Sequence, residues 1–264
     1  MDVKIGYSEL ILLDHPVEEN VARLAEAGAD SVELMMDASG WDSLGEDYGP
    51  LADRLRATGI TFTVHPAAWD VNLTAEMHIL REAAYRHHQQ ALAFAARLGA
   101  EQMVLHPGYS TFNKERAREL AHRAVCDLVQ QAAACGVRLA FENIAGPAAA
   151  LYTQEAFCHA LDETGPSVGY LLDIGHANMN GWNIPEVIRT LGDRLLGLHL
   201  HDNLGVDDDH LPGGQGSIQW TPIWTAAAES CTDACHWILE YAPGTPLHWL
   251  TQTRESIRRV MEQY

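Results

Sequence analysis

From one end to the other, the chain alternates short β-branched or apolar runs with longer stretches of helical period. The runs fall at 3–8, 31–36, 61–66, 102–108, 138–144, 168–176, 195–203 and 236–242, and each predicts a strand. Helical segments at 79–100 and 114–136 lie between them, and a last one at 248–263 follows the eighth strand. Gly28, Gly59, Gly99 and Gly136 close helices just before the next strand, where a left-handed residue turns the chain back. Eight strand–helix pairs in 264 residues is the arithmetic of an α/β chain closed into a (β/α)8 TIM barrel. A doubly wound open sheet would carry a glycine fingerprint after its first strand, and this turn reads Gly6-Tyr7-Ser8-Glu9. No linker or low-complexity tract divides the chain, so residues 1–264 are expected to form one barrel domain.

Charge narrows the partners. There are 17 Lys+Arg against 36 Asp+Glu, a formal net charge of −19, and the only lysines are Lys4 and Lys114. A protein that tracks a nucleic-acid backbone needs a basic stripe, so general duplex binding is not expected and a small-molecule substrate is. Cys126, Cys135, Cys158, Cys231 and Cys235 are odd in number and lack CxxC spacing, which reads as reduced thiols. The start Met1-Asp2-Val3-Lys4-Ile5-Gly6 lacks the features of a signal peptide, and no apolar run approaches ~18 residues. A cytoplasmic protein with no membrane partner is the expectation. The oligomeric state is not legible.

In such a barrel the chemistry collects at the C-terminal ends of the strands. The third strand run ends in Val64-His65-Pro66, the fourth in Leu105-His106-Pro107-Gly108, and the fifth contains Phe141-Glu142-Asn143. The sixth ends in Leu172-Asp173-Ile174-Gly175-His176, the seventh carries Leu198-His199-Leu200-His201-Asp202, and the eighth contains Leu239-Glu240-Tyr241. The loop after the seventh adds Asp208-Asp209-His210. Every strand from the third to the eighth thus brings an imidazole or a carboxylate to one rim, and the first two bring none. Imidazoles and carboxylates together suit Zn²⁺, Mn²⁺ or Fe²⁺, and without a cation such carboxylates would repel one another. The expected metal-binding set is His65, His106, Glu142, Asp173, His176, His199, Asp208, His210 and Glu240. The remaining histidines, including His87 and His88, read as surface or structural. Trp69, Asn72, Tyr109, Asn113 and Trp182 lie in rim loops and are expected substrate contacts.

The segments LHPG, FENIAG, LLDIGH, HLHDN, DDHLPGGQGSIQW and ILEY resemble the superfamily of xylose-isomerase-like barrels. It holds sugar and sugar-phosphate isomerases and epimerases as well as endonuclease IV. The resemblance runs from about residue 3 to 240, and its motifs are specific to the superfamily rather than to one activity. By resemblance to the isomerases and epimerases, Glu142, Asp173, His199 and Glu240 hold one divalent metal, with His176 beside the substrate. By resemblance to the endonuclease branch, His65 and His106 add one flank, and His176, Asp208 and His210 another, for two or three metals with Glu142 as a bridge. The strong negative charge departs from a DNA-gripping enzyme. His199 and His201 share strand parity and face the same way. The motif match favours His199 as the ligand, with His201 supporting it or contacting substrate.

Two mechanisms follow. In a phosphoester hydrolase, here of a small-molecule phosphodiester, closely spaced metals clamp the phosphoryl group and activate water, which gives every extra ligand a task. In a sugar or sugar-phosphate isomerase or epimerase, one metal chelates adjacent oxygens, and Glu142 and Glu240 act as acid and base. A catalytically silent binding protein is a third class. The surplus of ligands makes the hydrolase the sequence-based expectation and the isomerase or epimerase its alternative. Neither a Walker loop nor a GxSxG elbow is present.

Overall fold

The strands are β1 Ile5–Ser8, β2 Ser31–Met35, β3 Phe62–His65, β4 Gln102–Leu105, β5 Arg138–Glu142, β6 Val168–Asp173, β7 Leu195–Leu200 and β8 His236–Leu239. They pair in sequence order, all parallel, and β1 closes against β8 through Ile5 and Trp237. The closed barrel expected from the sequence is the one found. This computed structural model describes residues 3–45 and 47–264, so Met1 and Asp2 of the N-terminal reading lie outside it. Among the described residues no helix is long and apolar enough to cross a membrane.

Helices cover the outside of the barrel. The helix His78–Leu98 buries Ala84, His88, Ala91, Leu92, Ala95 and Leu98, a stripe at three- and four-residue spacing that seats on the sheet. Truncating Leu92 or Leu98 to alanine there would cost about 2–5 kcal/mol. Gly99 at φ 79° ends that helix, and Gly136 at φ 73° ends Lys114–Cys135, as the glycine punctuation predicted.

The strands stop sooner than the apolar runs suggest. β4 ends at Leu105, β5 at Glu142, β7 at Leu200 and β8 at Leu239, which leaves His106, His201 and Glu240 one step beyond the ladder. The largest difference is at the sixth run, expected to extend to residue 176. There β6 ends at Asp173 and the helix Ile174–Met179 begins at once. The reason is local: Asp173 caps that helix, its Oδ1 accepting the His176 amide at 2.6 Å. His176 therefore reaches the rim from a helix and not from a strand.

Candidate metal centre

Four residues from four strand ends converge on one point. His199 Nδ1 lies 2.9 Å from Glu142 Oε1, 3.3 Å from Glu240 Oε2 and 3.7 Å from Asp173 Oδ2. All four are buried. Burial pushes the Glu142 carboxyl up, but His199 and His106 in front of it drag it well below the carboxylate range. Burial likewise pushes Asp173 up, and His176 and His201 bring it down. For His199, burial disfavours the charge, yet Glu240, Glu142 and Glu33 around it pull the ring well above the usual imidazole value. Within this ring of four, one imidazole faces three carboxylates. A divalent cation among these donors would ease the repulsion between the carboxylates, and the donor chemistry fits one.

Two flanks extend this core. On one side, Glu142 Oε2 meets His106 Nε2 at 2.8 Å and His65 Nε2 at 3.5 Å. On the other, Asp208 Oδ2 meets His176 Nε2 at 3.0 Å and His210 Nε2 at 3.3 Å. Burial pushes both His65 and His210 down, but their carboxylate partners, Glu142 and Asp208, lift each to about 9. Three of these histidines are oriented alike. His65 Nδ1 donates to the Pro66 carbonyl at 2.6 Å, His176 Nδ1 to Asn143 at 2.7 Å and His210 Nδ1 to Glu240 at 3.1 Å. Each such bond leaves Nε2 free to face a cation. His201, whose Nε2 lies 3.0 Å from Asp173 Oδ2, stacks on His210 at 3.9 Å. Gly175 makes room for it, since a side-chain carbon there would overlap the His201 ring. The two histidines of β7 and its extension thus both face Asp173.

Above the core opens a cavity of about 470 Å³. His65, His106, Glu142, His176, Asp208, His210 and Glu240 line it together with Leu10, Met35, Ile144, Ala145, Ala242 and Pro243. Trp69 and Tyr109, two of the expected substrate contacts, also line it and are partly exposed. Asn72, Asn113 and Trp182, expected as substrate contacts too, do not line it. The Asn72 side chain is used to bind Thr74 and the backbone of Tyr109. Asn113 caps the following helix through the Arg116 amide, and Trp182 packs on Phe157 with ring centroids 5.3 Å apart.

The early strands are not silent. Glu33 on β2 is fully buried and lies 2.8 Å from His199 Nε2. Its signal in the sequence was an acid at the centre of the run SVELM, where an inward position should be apolar. His87, read as structural, accepts the Ala67 amide at 2.9 Å, and Asp37 accepts that of Ala68 at 2.8 Å, so together they pin the loop after β3.

The fold and rim define a closed β/α barrel whose carboxylates and imidazoles could hold a metal ion. The profile of the Xylose isomerase-like TIM barrel family matches residues 21–263, and the chain belongs to that family. The sequence is similar to the D-psicose 3-epimerase of Enterocloster bolteae, 34% identical over 116 residues that cover 43% of this chain and 37% of that protein. The fold is similar to that of a D-tagatose 3-epimerase-like protein, with a TM-score of 0.83 at 21% identity over 98% of this chain and 97% of that one. It is similar also to the IolI protein with a bound zinc atom, with a TM-score of 0.80 at 18% identity over 99% of both chains. The expectation of a phosphoester hydrolase finds no support in these proteins, and the isomerase or epimerase alternative does.

Proposed function

We propose that the protein is a divalent-metal-dependent epimerase or isomerase acting on a sugar or sugar phosphate, with ketoses as the substrate class. One observation carries this reading: Glu142, Asp173 and Glu240 converge on His199 Nδ1 at the floor of the cavity. A divalent ion held by these four residues would polarise the carbonyl and hydroxyl oxygens of a ketose and acidify the neighbouring C–H. In this reading Glu142, kept ionised by His199 and His106, would take that proton and Glu240 would return one to the other face of the carbon. The configuration at one carbon then inverts with no oxidant consumed. The similarity to D-psicose and D-tagatose 3-epimerases supports this choice of substrate class. His176 and His210 line the cavity wall and are suited to hold substrate hydroxyls. Leu10, Met35 and Ile144 give the sugar an apolar surface and help exclude water.

A second reading rests on a specific feature. The ligand atoms of His176, His201, Asp208 and His210 lie within 4.8 Å of one another, as do those of His65, His106 and Glu142. That would suit two or three metals and phosphoester cleavage. Incubating Zn²⁺-, Mn²⁺- or Co²⁺-loaded protein in ²H₂O with ketoses on one side, and with aryl phosphodiesters on the other, separates the two. Deuterium entering the ketose at the carbon beside the carbonyl is the expected result. Phosphodiester turnover with no exchange at any metal loading would replace the epimerase reading by the hydrolase.

A further inference from the structure

Glu33 does not line the cavity, yet it touches the centre from behind. Its Oε2 accepts a hydrogen bond from Thr63 Oγ1 on β3 at 2.9 Å, and its Oε1 lies 2.8 Å from His199 Nε2. Glu33 Oε1 and His199 Nε2 are both buried, and neither makes a well-aligned hydrogen bond among the described residues. A buried polar atom left bare costs about 1–3 kcal/mol, and more when charged. These two atoms are each other's remedy, although the ring N–H is not aimed straight at the oxygen.

The other histidines of the centre show why this contact matters. His65, His176 and His210 are each held by Nδ1 on a backbone carbonyl, with Nε2 turned to the carboxylates. His199 is reversed: Nδ1 faces Glu142, Asp173 and Glu240, and Nε2 points away from them. It lies inside β7, where no backbone carbonyl reaches its Nε2. The ring of His65 stacks beside it at 5.9 Å and 24°, which limits tilting but cannot select a ring face. A carboxylate behind an imidazole does both tasks, fixing the ring and naming the nitrogen that carries the proton.

We infer that Glu33 is a positioning residue of the metal centre: it holds the Nε2–H of His199, so that the ring presents Nδ1 to an ion shared with Glu142, Asp173 and Glu240. The inference rests on the metal-site part of the proposed function, and it assigns β2 a part in a site otherwise built from β3 to β8. Thr63 holds Glu33 in turn, so a chain of side chains runs from β3 through β2 to β7 beneath the cavity.

Two measurements test it. In metal-free protein labelled with ¹⁵N-histidine, His199 Nε2–H should give a downfield, slowly exchanging proton, identified by its loss in His199→Gln. That resonance should vanish in Glu33→Ala. Its absence from the unmutated protein, or its survival in Glu33→Ala, overturns the proposal whatever the metal content. In a Co²⁺ titration read by visible absorption, Glu33→Ala should bind roughly ten- to hundredfold more weakly, with an altered spectrum. Glu33→Gln, which can still accept but carries no charge, should fall between. Thr63→Val should weaken binding by about two- to fivefold. Co²⁺ affinity within twofold of the unmutated protein in both Glu33 variants overturns the proposal. Where Glu33→Ala fails to fold by circular dichroism, Glu33→Gln and Thr63→Val decide. If the unmutated protein takes up no Co²⁺, the metal centre itself is wrong, and the proton resonance alone then decides whether Glu33 holds the ring.

Discussion

The inner ring of the site and its outer flank are built from the same residue types and held in different ways. Glu142, Asp173, His199 and Glu240 come from strand ends, and their side chains are between 0% and 4% exposed. In the outer flank, Asp208 and His210 come from the long loop after β7, and their side chains are 34% and 17% exposed. His210 adopts φ 47°, a left-handed conformation uncommon outside glycine. That loop is tied down from within by Asp202. Its Oδ1 accepts the amides of Asn203 and Ile218, and its Oδ2 those of Gly214 and the Trp220 indole. The inner charges cannot be answered by water, so they require a proton or a cation. The outer ones can be answered by water, by a second ion or by a substrate. The strand ladder fixes the inner ring, and a clamped loop sets the outer flank.

The largest expected break comes from the inner ring. Glu240→Gln should lower turnover by roughly 10²–10⁴-fold while the fold survives, as loss of one acid–base group does. Steady-state epimerisation with circular dichroism as control measures it. Activity within tenfold of the unmutated enzyme would place the proton transfer elsewhere.

Metal removal should expose the charge imbalance of the ring. His65 and His210 sit at about 9 in the folded, metal-free protein, against roughly 6.5 unfolded. Their protonation stabilises the fold fully below about pH 6.5, and that contribution is lost as pH rises through about 9. The Tm of the metal-free protein should therefore fall between those pH values, and saturating Zn²⁺ should flatten the decline. At a hundredfold excess over Kd the ion adds about 2.7 kcal/mol. A metal-free protein with a flat Tm across this window would contradict that charge imbalance.

The outer flank should be more forgiving. His210→Ala removes one wall of the cavity and leaves the four-residue ring intact. An epimerase should lose about 1–2 kcal/mol of substrate binding, seen mainly in KM, with metal content at the inner ring unchanged. A loss of roughly a thousandfold in turnover, with part of the metal gone, would turn the outer flank into a second metal site and favour the hydrolase.

The smallest effect belongs to the mouth. Trp69 lines the cavity and is 57% exposed. Trp69→Ala should raise KM by a few fold, about 1 kcal/mol of lost aromatic contact, with turnover unchanged. A matching fall in turnover would give this residue a part in closing the site.

Much of this arrangement is legible in the sequence. Hydrophobic period and glycine caps are local properties, and they predicted the eight strands and their parallel closure. The position of each imidazole and carboxylate at a strand end was also local, so their gathering on one rim followed from the barrel, while the choice of Glu142, Asp173, His199 and Glu240 among them came from the family resemblance. Local pattern misjudged where the ladder stops, because the helix cap at Asp173 and the helix it starts compete with the strand for the same residues. Nor did local pattern show that Asn72, Asn113 and Trp182 have structural partners, in Thr74, the Arg116 amide and Phe157.

What the sequence by itself determined is the barrel and the ring of chemistry on its rim, because both are written in periodicities a few residues long. Only the tertiary structure decided which nitrogen of His199 faces the carboxylates and that Glu33 stands behind the other. Those contacts join β2 to β7 and, at a separation of 57 residues, β5 to β7. No local period records a pairing made across the inside of a closed sheet. It depends on the barrel closing, on which side chains then share one buried volume, and on buried charges finding their partners there.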